Sequence, residues 1–290
     1  MQVAFIGFGA FGQALCSLVE YNGYEYDCTD LQGITEPRLL SQPADLVLLT
    51  VPTQAIRQAM KDNRRFLKPD TIIVNCSKGI EEGTHLMVHQ IVRSLGRFPN
   101  YYSLIGPSFA EGVMKQEPTV VSLGYKNQTH VATIQKLLET PWFKVQPSRG
   151  YRALELASAL KNLYAITCGY AEGLGFGPNV RVRLMIMALD EFHTLAKAMH
   201  FADYDLLAPG VVGDLILTCS SEQSRNFQYG LTLAAGKADD LHDTVEGYYT
   251  SHSINAIAYE HNAKLPLAAL TSQIINGELK SIEEFRRFLT

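Results

Sequence analysis

Apolar residues in the first half of the chain occur in two alternating patterns, short continuous runs and longer stretches at helical spacing. The runs are rich in valine, isoleucine and leucine, which is typical of strands covered on both faces, and the stretches between them are typical of helices packed on those faces. Together they predict βαβ units stacked into a mostly parallel sheet. The predicted strands are residues 3–6, 24–29, 46–51, 71–74, 101–105, 119–123 and 142–145, and the predicted helices are residues 11–21, 84–95 and 128–138.

The pattern changes after the turn-rich stretch 147–150. From there on, strand signals nearly vanish and the chain has the pattern of successive helices. The interruptions between these helices fall at residues 173–178, 209–210, Gly236, Gly247 and Pro266. We therefore predict an α/β sheet domain over residues 1–148, followed by an all-helical domain over residues 149–290.

Length and charge agree with this division and narrow the classes of partner. A chain of 290 residues is long enough for two domains with a core each. Its 25 Lys and Arg against 29 Asp and Glu give a formal net charge of -4, so it lacks the overall basic field of proteins that bind nucleic acids or anionic membranes. No apolar run reaches the ~18 residues of a membrane-spanning helix. We expect neither a nucleic-acid nor a membrane partner, and any anionic ligand must be held by local charges.

The cysteines indicate a reducing compartment. There are 5, widely spaced and without a C-x-x-C pair, which favours free thiols over a disulfide framework or a zinc site. No Lys or Arg precedes Arg38, so the N-terminus lacks the basic start of a secretory signal. These features predict a cytoplasmic protein.

A metal site is not expected. His85 and His89 are four residues apart, as zinc ligands on a helix would be, but no Glu follows His85 and no third ligand is evident nearby. A solvated helix face is the better interpretation of these two residues.

A glycine-rich turn follows the first predicted strand and opens the first predicted helix. Residues 7–12 read GFGAFG, a G-x-G-x-x-G motif in the strand, turn and helix context that gives it meaning. Gly7 allows the tight turn, Gly9 lets backbone amides approach a pyrophosphate at the helix N-terminus, and Gly12 lets helix and strand pack closely. This predicts a Rossmann-type, doubly wound dinucleotide-binding domain; the alternative is a glycine-rich turn that binds nothing.

Asp30 lies 18 positions after Gly12, at the end of the second predicted strand. An acidic residue there accepts hydrogen bonds from the adenosine ribose hydroxyls and repels a 2′-phosphate, which favours NAD over NADP. The alternative is a solvated Asp in a loop.

Lys161 is the only charged residue between Leu156 and Ala171. The helix predicted there is apolar on nearly all sides and should be buried, whereas lysine is almost never fully buried without a partner. A desolvated ammonium group has a lowered pKa, which suits general acid–base chemistry near neutral pH. The alternatives are a lysine that reaches the rim of the protein or one paired with a distant Asp.

Two further sets of polar residues are candidates for ligand binding. Lys78 follows a buried strand, so it should lie at the carboxyl end of the sheet, where doubly wound folds bind ligands. Asp214 and the run Ser224, Arg225 and Asn226 bring a carboxylate, a hydroxyl, a guanidinium and an amide close together in sequence. Arg with Ser and Asn makes a natural phosphate clamp. A capped helix start explains the serines equally well.

Taken together, these residues resemble the bacterial NAD(P)-dependent sn-glycerol-3-phosphate dehydrogenase family over nearly the whole chain. The ordered motifs are GFGAFG at 7–12, SKG at 77–79, IGPSFAEGV at 105–113, ELASALKN at 155–162, GDLILTCSSEQSRN at 213–226 and, more weakly, TVEG at 244–247. The resemblance implies reversible hydride transfer between a nicotinamide cofactor, NAD or NADP, and C2 of glycerol 3-phosphate, giving dihydroxyacetone phosphate. It also implies a supply of glycerol 3-phosphate for phospholipid synthesis, and a homodimer.

The resemblance also implies roles for individual residues. Lys161 stands at the position of the proton acceptor, Lys78 contacts substrate and cofactor, and Asp214 orients Lys161 or a substrate hydroxyl. The other implied substrate-binding residues are Gly106, Ser108, Ser224, Arg225 and Asn226. The implied cofactor-binding residues are Gly7, Gly9, Ala10, Phe11, Gly12, Asp30, Lys78, Ala110, Arg225, Thr244 and Glu246.

The chain departs from the family pattern after the second strand. Leu31 takes the place of a usual Arg, and only residues 31–44 separate Asp30 from Asp45. Thr244 replaces a more usual Val. The first departure concerns the subsite for an adenosine 2′-phosphate and not the residues proposed for chemistry.

Two other functions are compatible with this plan. A β-hydroxyacid or 6-phosphogluconate type of dehydrogenase also joins a dinucleotide domain to a helical domain with a lysine, but it predicts a carboxylate substrate, against which the Ser-Arg-Asn run argues. A non-catalytic nicotinamide-responsive sensor would have no need of both Lys78 and Lys161.

Overall fold

The predicted α/β organisation is confirmed in the computed structural model, which describes residues 1–29, 39–237, 245–279 and 281–290. Seven strands form one sheet in the order β2-β1-β3-β4-β5-β6-β7. Neighbouring strands are parallel except β5 and β6, so the sheet is mostly parallel, as expected. The strands are Val3–Ile6 (β1), Tyr26–Thr29 (β2), Ala44–Leu49 (β3), Leu67–Asn75 (β4), Tyr101–Ile105 (β5), Thr119–Tyr125 (β6) and Phe143–Arg149 (β7).

Alternating side chains of the central strands point into two separate cores. On β1, Val3 and Phe5 face one core, whereas Ala4 and Ile6 face the other. Burial on both faces explains why these strands have nearly continuous apolar sequences. The helices within the sheet part of the chain are Ala10–Tyr21 (α1), Ile56–Asp62 (α2), Val88–Leu95 (α3), Ala110–Met114 (α4) and Val131–Leu138 (α5).

The second half of the described chain is helical, as predicted. The helices are Tyr151–Gly173 (α6), Pro178–Ala198 (α7), Asp214–Ser220 (α8), Arg225–Ala234 (α9), Glu246–Glu260 (α10), Pro266–Ile275 (α11) and Ile282–Leu289 (α12). Helix α6 lies at the centre, and nearly all of its side chains are buried. None of the helices in the described ranges is long and apolar enough to cross a membrane. The 5 cysteines are free thiols, as expected.

A close crossing of α6 and α9 depends on two glycines. A Cβ added to Gly169 would collide with the carbonyl of Phe227, and one added to Gly230 would collide with the carbonyl of Ile166. Because the two backbones touch there, the start of α9 is fixed relative to α6, and with it the residues at 224–226.

The structure differs from the sequence prediction in several short elements. Helices α2 and α4 were not predicted, because 7 and 5 residues are too short to show a helical period. Gly247 does not interrupt a helix but lies in the first turn of α10. Helix α3 begins at Val88, later than the predicted residue 84. The chain leaves β7 at Arg149 and enters α6 at Tyr151 through Gly150, whose φ of 79° is in the left-handed region.

Candidate active site

The candidate site lies where parallel strands end and helices of the second half lie over them. The turn after β4 carries Lys78, the turn after β5 carries Gly106, and α6 and α8 carry Lys161 and Asp214. In open α/β sheets, ligands bind at this carboxyl edge of the strands.

The glycine-rich turn at residues 7–12 has the backbone that the motif requires. Gly7 has a φ of 107°, and a Cβ there would lie 2.7 Å from the amide nitrogen of Val51. A Cβ on Gly12 would lie 2.7 Å from the carbonyl oxygen of Gly7. Both glycines are therefore required by the packing of the turn itself.

Gly9 differs, because a Cβ there would meet nothing within 4 Å. Gly9 is the N-cap of α1 and makes no side-chain cap, so Ala10, Phe11 and Gly12 present the first amides of the helix to open space. An anionic pyrophosphate fits such a helix N-terminus, where amides and helix dipole act together.

Asp30 and Thr244, two of the residues expected to contact the cofactor, lie outside the described residues. Their interpretation remains that of the sequence.

At the centre of the site, one carboxylate bridges two lysines. Asp214 Oδ1 lies 3.0 Å from Lys161 Nζ, and Asp214 Oδ2 lies 2.8 Å from Lys78 Nζ. Lys161 also donates to Thr218 Oγ1 at 2.6 Å, and Lys78 donates to the carbonyl of Gly106 at 3.1 Å. The side chains of Lys161 and Asp214 are only 7% and 2% exposed. Lys161 is therefore both desolvated and paired with a distant Asp, which unites two interpretations that the sequence left apart.

The surroundings of Lys161 bring its pKa close to neutral pH. Burial lowers the pKa from 10.5 to about 8, the carboxylate of Asp214 opposes this, and the positive charge of Lys78 lowers it further. An amine with this pKa can both accept and donate a proton under ordinary conditions.

A π-helical turn at Pro209–Gly213 delivers Asp214 to the lysines. The amide of Gly210 donates to Ser122 Oγ of β6 at 2.9 Å, and a Cβ on Gly210 would lie 2.7 Å from the carbonyl of Ile105. The turn therefore sits directly on the end of β5, and α8 begins at Asp214. π-turns of this kind occur often at functional sites.

The turn after β5 has a tightly held backbone. The carbonyl of Gly106 accepts from Ser108 Oγ at 3.1 Å as well as from Lys78. A Cβ on Gly106 would lie 2.6 Å from the Cα of Val121. Ala110 follows as the first residue of α4 and is half-buried. Gly106 therefore contacts Lys78, and Ser108 shares the same carbonyl; their role as substrate contacts stays a prediction.

The Ser-Arg-Asn run divides into two kinds of residue. Ser224 Oγ accepts from the amide of Phe227 at 3.3 Å and so caps α9, and Asn226 Oδ1 accepts from the amide of Gly247 at 2.9 Å. Arg225 is exposed and makes no hydrogen bond or ion pair with any described residue. Only the guanidinium of Arg225 is wholly available to a ligand.

Glu246 reaches from α10 to the sheet. Its Oε1 accepts from the amide of Thr53 at 2.9 Å, whereas its buried Oε2 has no hydrogen-bond partner among the described residues. Burial raises the pKa of Glu246 to about 7, against the opposing effects of Thr53 and Arg225. Gly79 packs against Oε2 so closely that a Cβ there would collide with it. An unsatisfied buried oxygen at this point fits a ligand group that donates a hydrogen bond.

Sequence reasoning missed three residues of the site. Thr218 lies one helical turn after Asp214, so its spacing could have revealed it. Asn162, next to Lys161, donates from Nδ2 to the carbonyl of Lys78 at 3.2 Å. Thr53 had no sequence signal, since its contribution to Glu246 comes from the backbone amide.

The expectation that His85 and His89 share a solvated helix face is wrong. His85 precedes α3 and has a φ of 58°, whereas His89 lies in α3 with its Nδ1 2.8 Å from Glu155 Oε2. Glu155 is deeply buried, because helix α6 lies over this part of the sheet.

A glycine-rich turn at a helix N-terminus, combined in one chain with a buried lysine of lowered pKa at the carboxyl edge of the sheet, is typical of dinucleotide-dependent dehydrogenases with a Rossmann-type sheet and a helical second half. More narrowly, the chain belongs to the NAD-dependent glycerol-3-phosphate dehydrogenase family. The N-terminal profile of that family matches residues 28–131, and its C-terminal profile matches residues 151–286.

Individual relatives agree. The chain is similar to the glycerol-3-phosphate dehydrogenases (NAD(P)+) of Lawsonia intracellularis, with 34% identity over 88% of this chain and 74% of the relative, and of Maridesulfovibrio salexigens, with 31% identity over 95% and 94%. The solved glycerol-3-phosphate dehydrogenase of Coxiella burnetii is 24% identical and has the same fold, with a TM-score of 0.86 over 99% of this chain and 98% of that one.

Proposed function

We propose that this chain catalyses reversible hydride transfer between a nicotinamide cofactor, NAD or NADP, and C2 of glycerol 3-phosphate, giving dihydroxyacetone phosphate. The observation that carries the proposal is the shared carboxylate of Asp214, which holds Lys161 and Lys78 together at the carboxyl edge of the sheet. Membership of the family supports the same reaction. A supply of glycerol 3-phosphate for phospholipid synthesis is the corresponding role in the cell.

Lys161 acts as the general base in oxidation. Its neutral amine takes the proton of the C2 hydroxyl, and in the reverse reaction its ammonium returns a proton to the same oxygen. Asp214 and Thr218 hold the Nζ in place, so little reorganisation is needed when the proton moves. The bound nicotinamide supplies the acceptor or donor of the hydride.

Lys78 stabilises negative charge on the reacting oxygen. Its ammonium is fixed by Asp214 and by the carbonyl of Gly106, and such a preorganised charge is worth more in a water-poor site than in solution. Ser108 adds a hydroxyl next to it. These groups favour the alkoxide that forms at C2.

Arg225 binds the phosphate of the substrate. Its guanidinium has the planar fork that bonds phosphate oxygens in pairs, and it is uncommitted among the described residues. Ser224 and Asn226 flank it and fix the start of α9, and the side-chain N–H groups of Asn226 can add donors.

The turn at residues 7–12 would hold the cofactor, and the amides of Ala10, Phe11 and Gly12 would bind its pyrophosphate. Glu246, Ala110, Lys78 and Arg225 would contact its nicotinamide end. Thr244 is added to this set from the sequence resemblance alone. Asp30 favours NAD over NADP, as inferred from the sequence.

One assay tests the reaction and the cofactor together. The purified protein is given NADH or NADPH with dihydroxyacetone phosphate, and in parallel with 3-oxo acids. We expect reduction of dihydroxyacetone phosphate only, faster with NADH. Reduction of 3-oxo acids instead would show a β-hydroxyacid type of dehydrogenase, and cofactor binding without turnover of any substrate would show a sensor.

A lysine variant assigns the base. Lys161→Ala should lower turnover severely and leave NADH binding nearly intact, whereas Lys136→Ala, an exposed lysine of α5, should change neither. Normal turnover in Lys161→Ala would contradict the assignment of the base.

The same proposal assigns a role to each of the two domains and an oligomeric state to the enzyme. Residues 1–148 bind the cofactor and residues 149–290 carry the substrate and the base, in a cytoplasmic enzyme whose free thiols fit a reducing compartment. A homodimer is supported by Val182 and Ile186, which lie one turn apart on α7 and are 54% and 57% exposed. Light scattering should give twice the chain mass, and Ile186→Lys should halve it.

A further inference from the structure

Glu155 is a buried carboxylate that takes no part in the proposed chemistry. Its side chain is 2% exposed. Oε2 lies 2.8 Å from His89 Nδ1 and accepts from the backbone amide of His89 at 3.1 Å, and Oε1 accepts from Ser103 Oγ at 2.8 Å and from the hydroxyl of Tyr101. The Nδ2 of Asn75 also points to Oε1, at 3.4 Å. A carboxylate surrounded by so many donors has one fixed position.

Stability alone does not explain a buried, charged carboxylate such as that of Glu155. Desolvation of a carboxylate disfavours folding, and an apolar residue of similar size often serves stability as well or better. Burial alone favours the neutral carboxyl, but His89 and Tyr101 overcome this and lower the pKa of Glu155, so the residue stays charged. The geometry around Asn75 indicates what this charge does.

Asn75 is the last residue of β4 and holds the turn that follows. Its Oδ1 accepts from the amide of Ser77 at 2.9 Å, and its Nδ2 donates to the carbonyl of Ser77 at 3.1 Å. Both the oxygen and the nitrogen of the Asn75 side-chain amide therefore hydrogen-bond Ser77, the residue immediately before Lys78. Glu155 reinforces this orientation of the amide, because only Nδ2 can donate to a carboxylate.

Helix α6 holds the same turn at a second point. Asn162, seven residues after Glu155 and so on the same face of the helix, donates to the carbonyl of Lys78. The turn is thus fixed on both sides of Lys78, by two residues of the helix that also carries Lys161.

We propose that Glu155 is a positioning residue for Lys78, acting through the side-chain amide of Asn75. The carboxylate orients Asn75, Asn75 fixes Ser77, and the Lys78 ammonium is thereby held at the distance from Lys161 at which Asp214 can bridge both. This inference rests on the proposed function, since the quantity that it controls is the placement of a group on the substrate.

The experiment compares two variants that each remove one neutral donor to Glu155 Oε1 from a fully buried residue. Asn75→Ala also releases Ser77, whereas Ser103→Ala does not. Because a misplacement near 1 Å can cost about 100-fold, we expect Asn75→Ala to lower kcat/KM for dihydroxyacetone phosphate by about 10- to 100-fold. NADH affinity should stay within about twofold, and Ser103→Ala should stay near the wild type. Glu155→Gln should resemble Asn75→Ala, because its amide disturbs the contacts of the carboxylate.

A double-mutant cycle with Lys78→Ala distinguishes an effect on the position of Lys78 from a general loss of stability. Once Lys78 is absent, Asn75→Ala and Glu155→Gln should have little further effect on kcat or KM, even where they lower the melting temperature. The proposal is overturned if they lower kcat/KM by the same factor in both backgrounds, or if Asn75→Ala in an otherwise native protein stays near the wild type. Should Glu155→Gln fail to fold, Glu155→Asp, which keeps the charge but shortens the reach to Asn75, takes its place in the same cycle, and wild-type kcat/KM in that variant overturns the role of Glu155. A wild-type protein that does not reduce dihydroxyacetone phosphate would contradict the proposed function, whereas an active wild type with an indifferent Asn75→Ala contradicts only this inference.

Discussion

Replacing Lys78 by methionine should move the pH dependence of the reaction upward. The ammonium of Lys78 shares Asp214 with Lys161, and its charge lowers the pKa of Lys161. Without that charge, Lys161 holds its proton to a higher pH. Asp214→Asn should do the opposite, because the carboxylate raises the pKa of Lys161 and its loss lets the proton leave at lower pH.

The lowered pKa of Lys161 determines how much of this base is neutral in the wild-type protein. With a pKa of about 8 instead of 10.5, about a tenth of Lys161 is neutral at pH 7, which is ~300 times the neutral fraction of an ordinary lysine. Oxidation of glycerol 3-phosphate needs the neutral amine, so its kcat/KM should rise with pH and level off above about 8. Reduction needs the ammonium, so its kcat/KM should fall above the same pH.

Steady-state rates of oxidation and of reduction between pH 6 and pH 10 measure the rise and the fall of kcat/KM with pH. Lys78→Met and Asp214→Asn will both have low turnover, since each lacks a group of the site. The quantity to compare is the midpoint, the pH at which kcat/KM reaches half of its maximum for that variant, and not the maximum itself. The substrate's phosphate also titrates, and it does so equally in all variants, so differences between midpoints belong to the protein. The reasoning is refuted if the two variants shift the midpoint in the same direction, or if neither shifts it.

Four further outcomes follow from the site. Arg225→Ala should raise the KM for dihydroxyacetone phosphate by about 10- to 100-fold, the value of a hydrogen bond to a charged group, and change the KM for NADH less. Glu246→Gln should stabilise the ligand-free protein at pH 8 by up to about 3 kcal/mol in urea unfolding, since it removes a carboxyl whose pKa is raised from 4.5 to about 7. Gly12→Ala should destabilise the protein by about 1–3 kcal/mol through overpacking. Gly9→Ala should cost less than about 1 kcal/mol but weaken cofactor binding, because its Cβ points into open space.

The outcomes for Arg225 and Glu246 each have a control. Arg287→Ala, an exposed arginine of α12, should leave both KM values unchanged, and a rise in the KM for NADH alone would contradict the phosphate role of Arg225. For Glu246, the unfolded chain releases its proton above about 4.5 and the folded chain holds it to about 7, so wild-type stability should fall as pH rises between these values. A glutamine variant that keeps this dependence would show that another group causes it.

Sequence alone predicted what depends on local pattern. The five central strands contain short, continuous apolar runs, and the turn at residues 7–12 is recognisable from glycines whose close packing is seen at Gly7 and Gly12. The lone charge of Lys161 in an apolar helix pointed to the site as well. These signals are local because a strand, a turn or a helix face is specified by neighbouring residues.

Pairings between distant residues could not be predicted. The family resemblance implied that Asp214 orients Lys161 or a substrate hydroxyl, but no local pattern joins Asp214 to two lysines that precede it by 53 and 136 residues, because that contact is created by the π-helical turn on the end of β5. Likewise His89 looked solvated, since its partner Glu155 lies in another helix. Residues such as Thr53, which act through the backbone, leave no trace in side-chain chemistry.

The pairing also explains how a chain with a net charge of -4 can hold an anionic substrate. One carboxylate shared by two ammonium groups leaves a positive charge uncompensated, and the nearby Arg225 adds another. Glu246 offsets less than a full negative charge, because its pKa is raised to about 7 and its carboxyl is partly protonated near neutral pH. The cleft is therefore positive because of where the fold places its charges, and a phosphate dianion would neutralise it. Since the ligand relieves this excess charge, substrate binding should stabilise the folded protein.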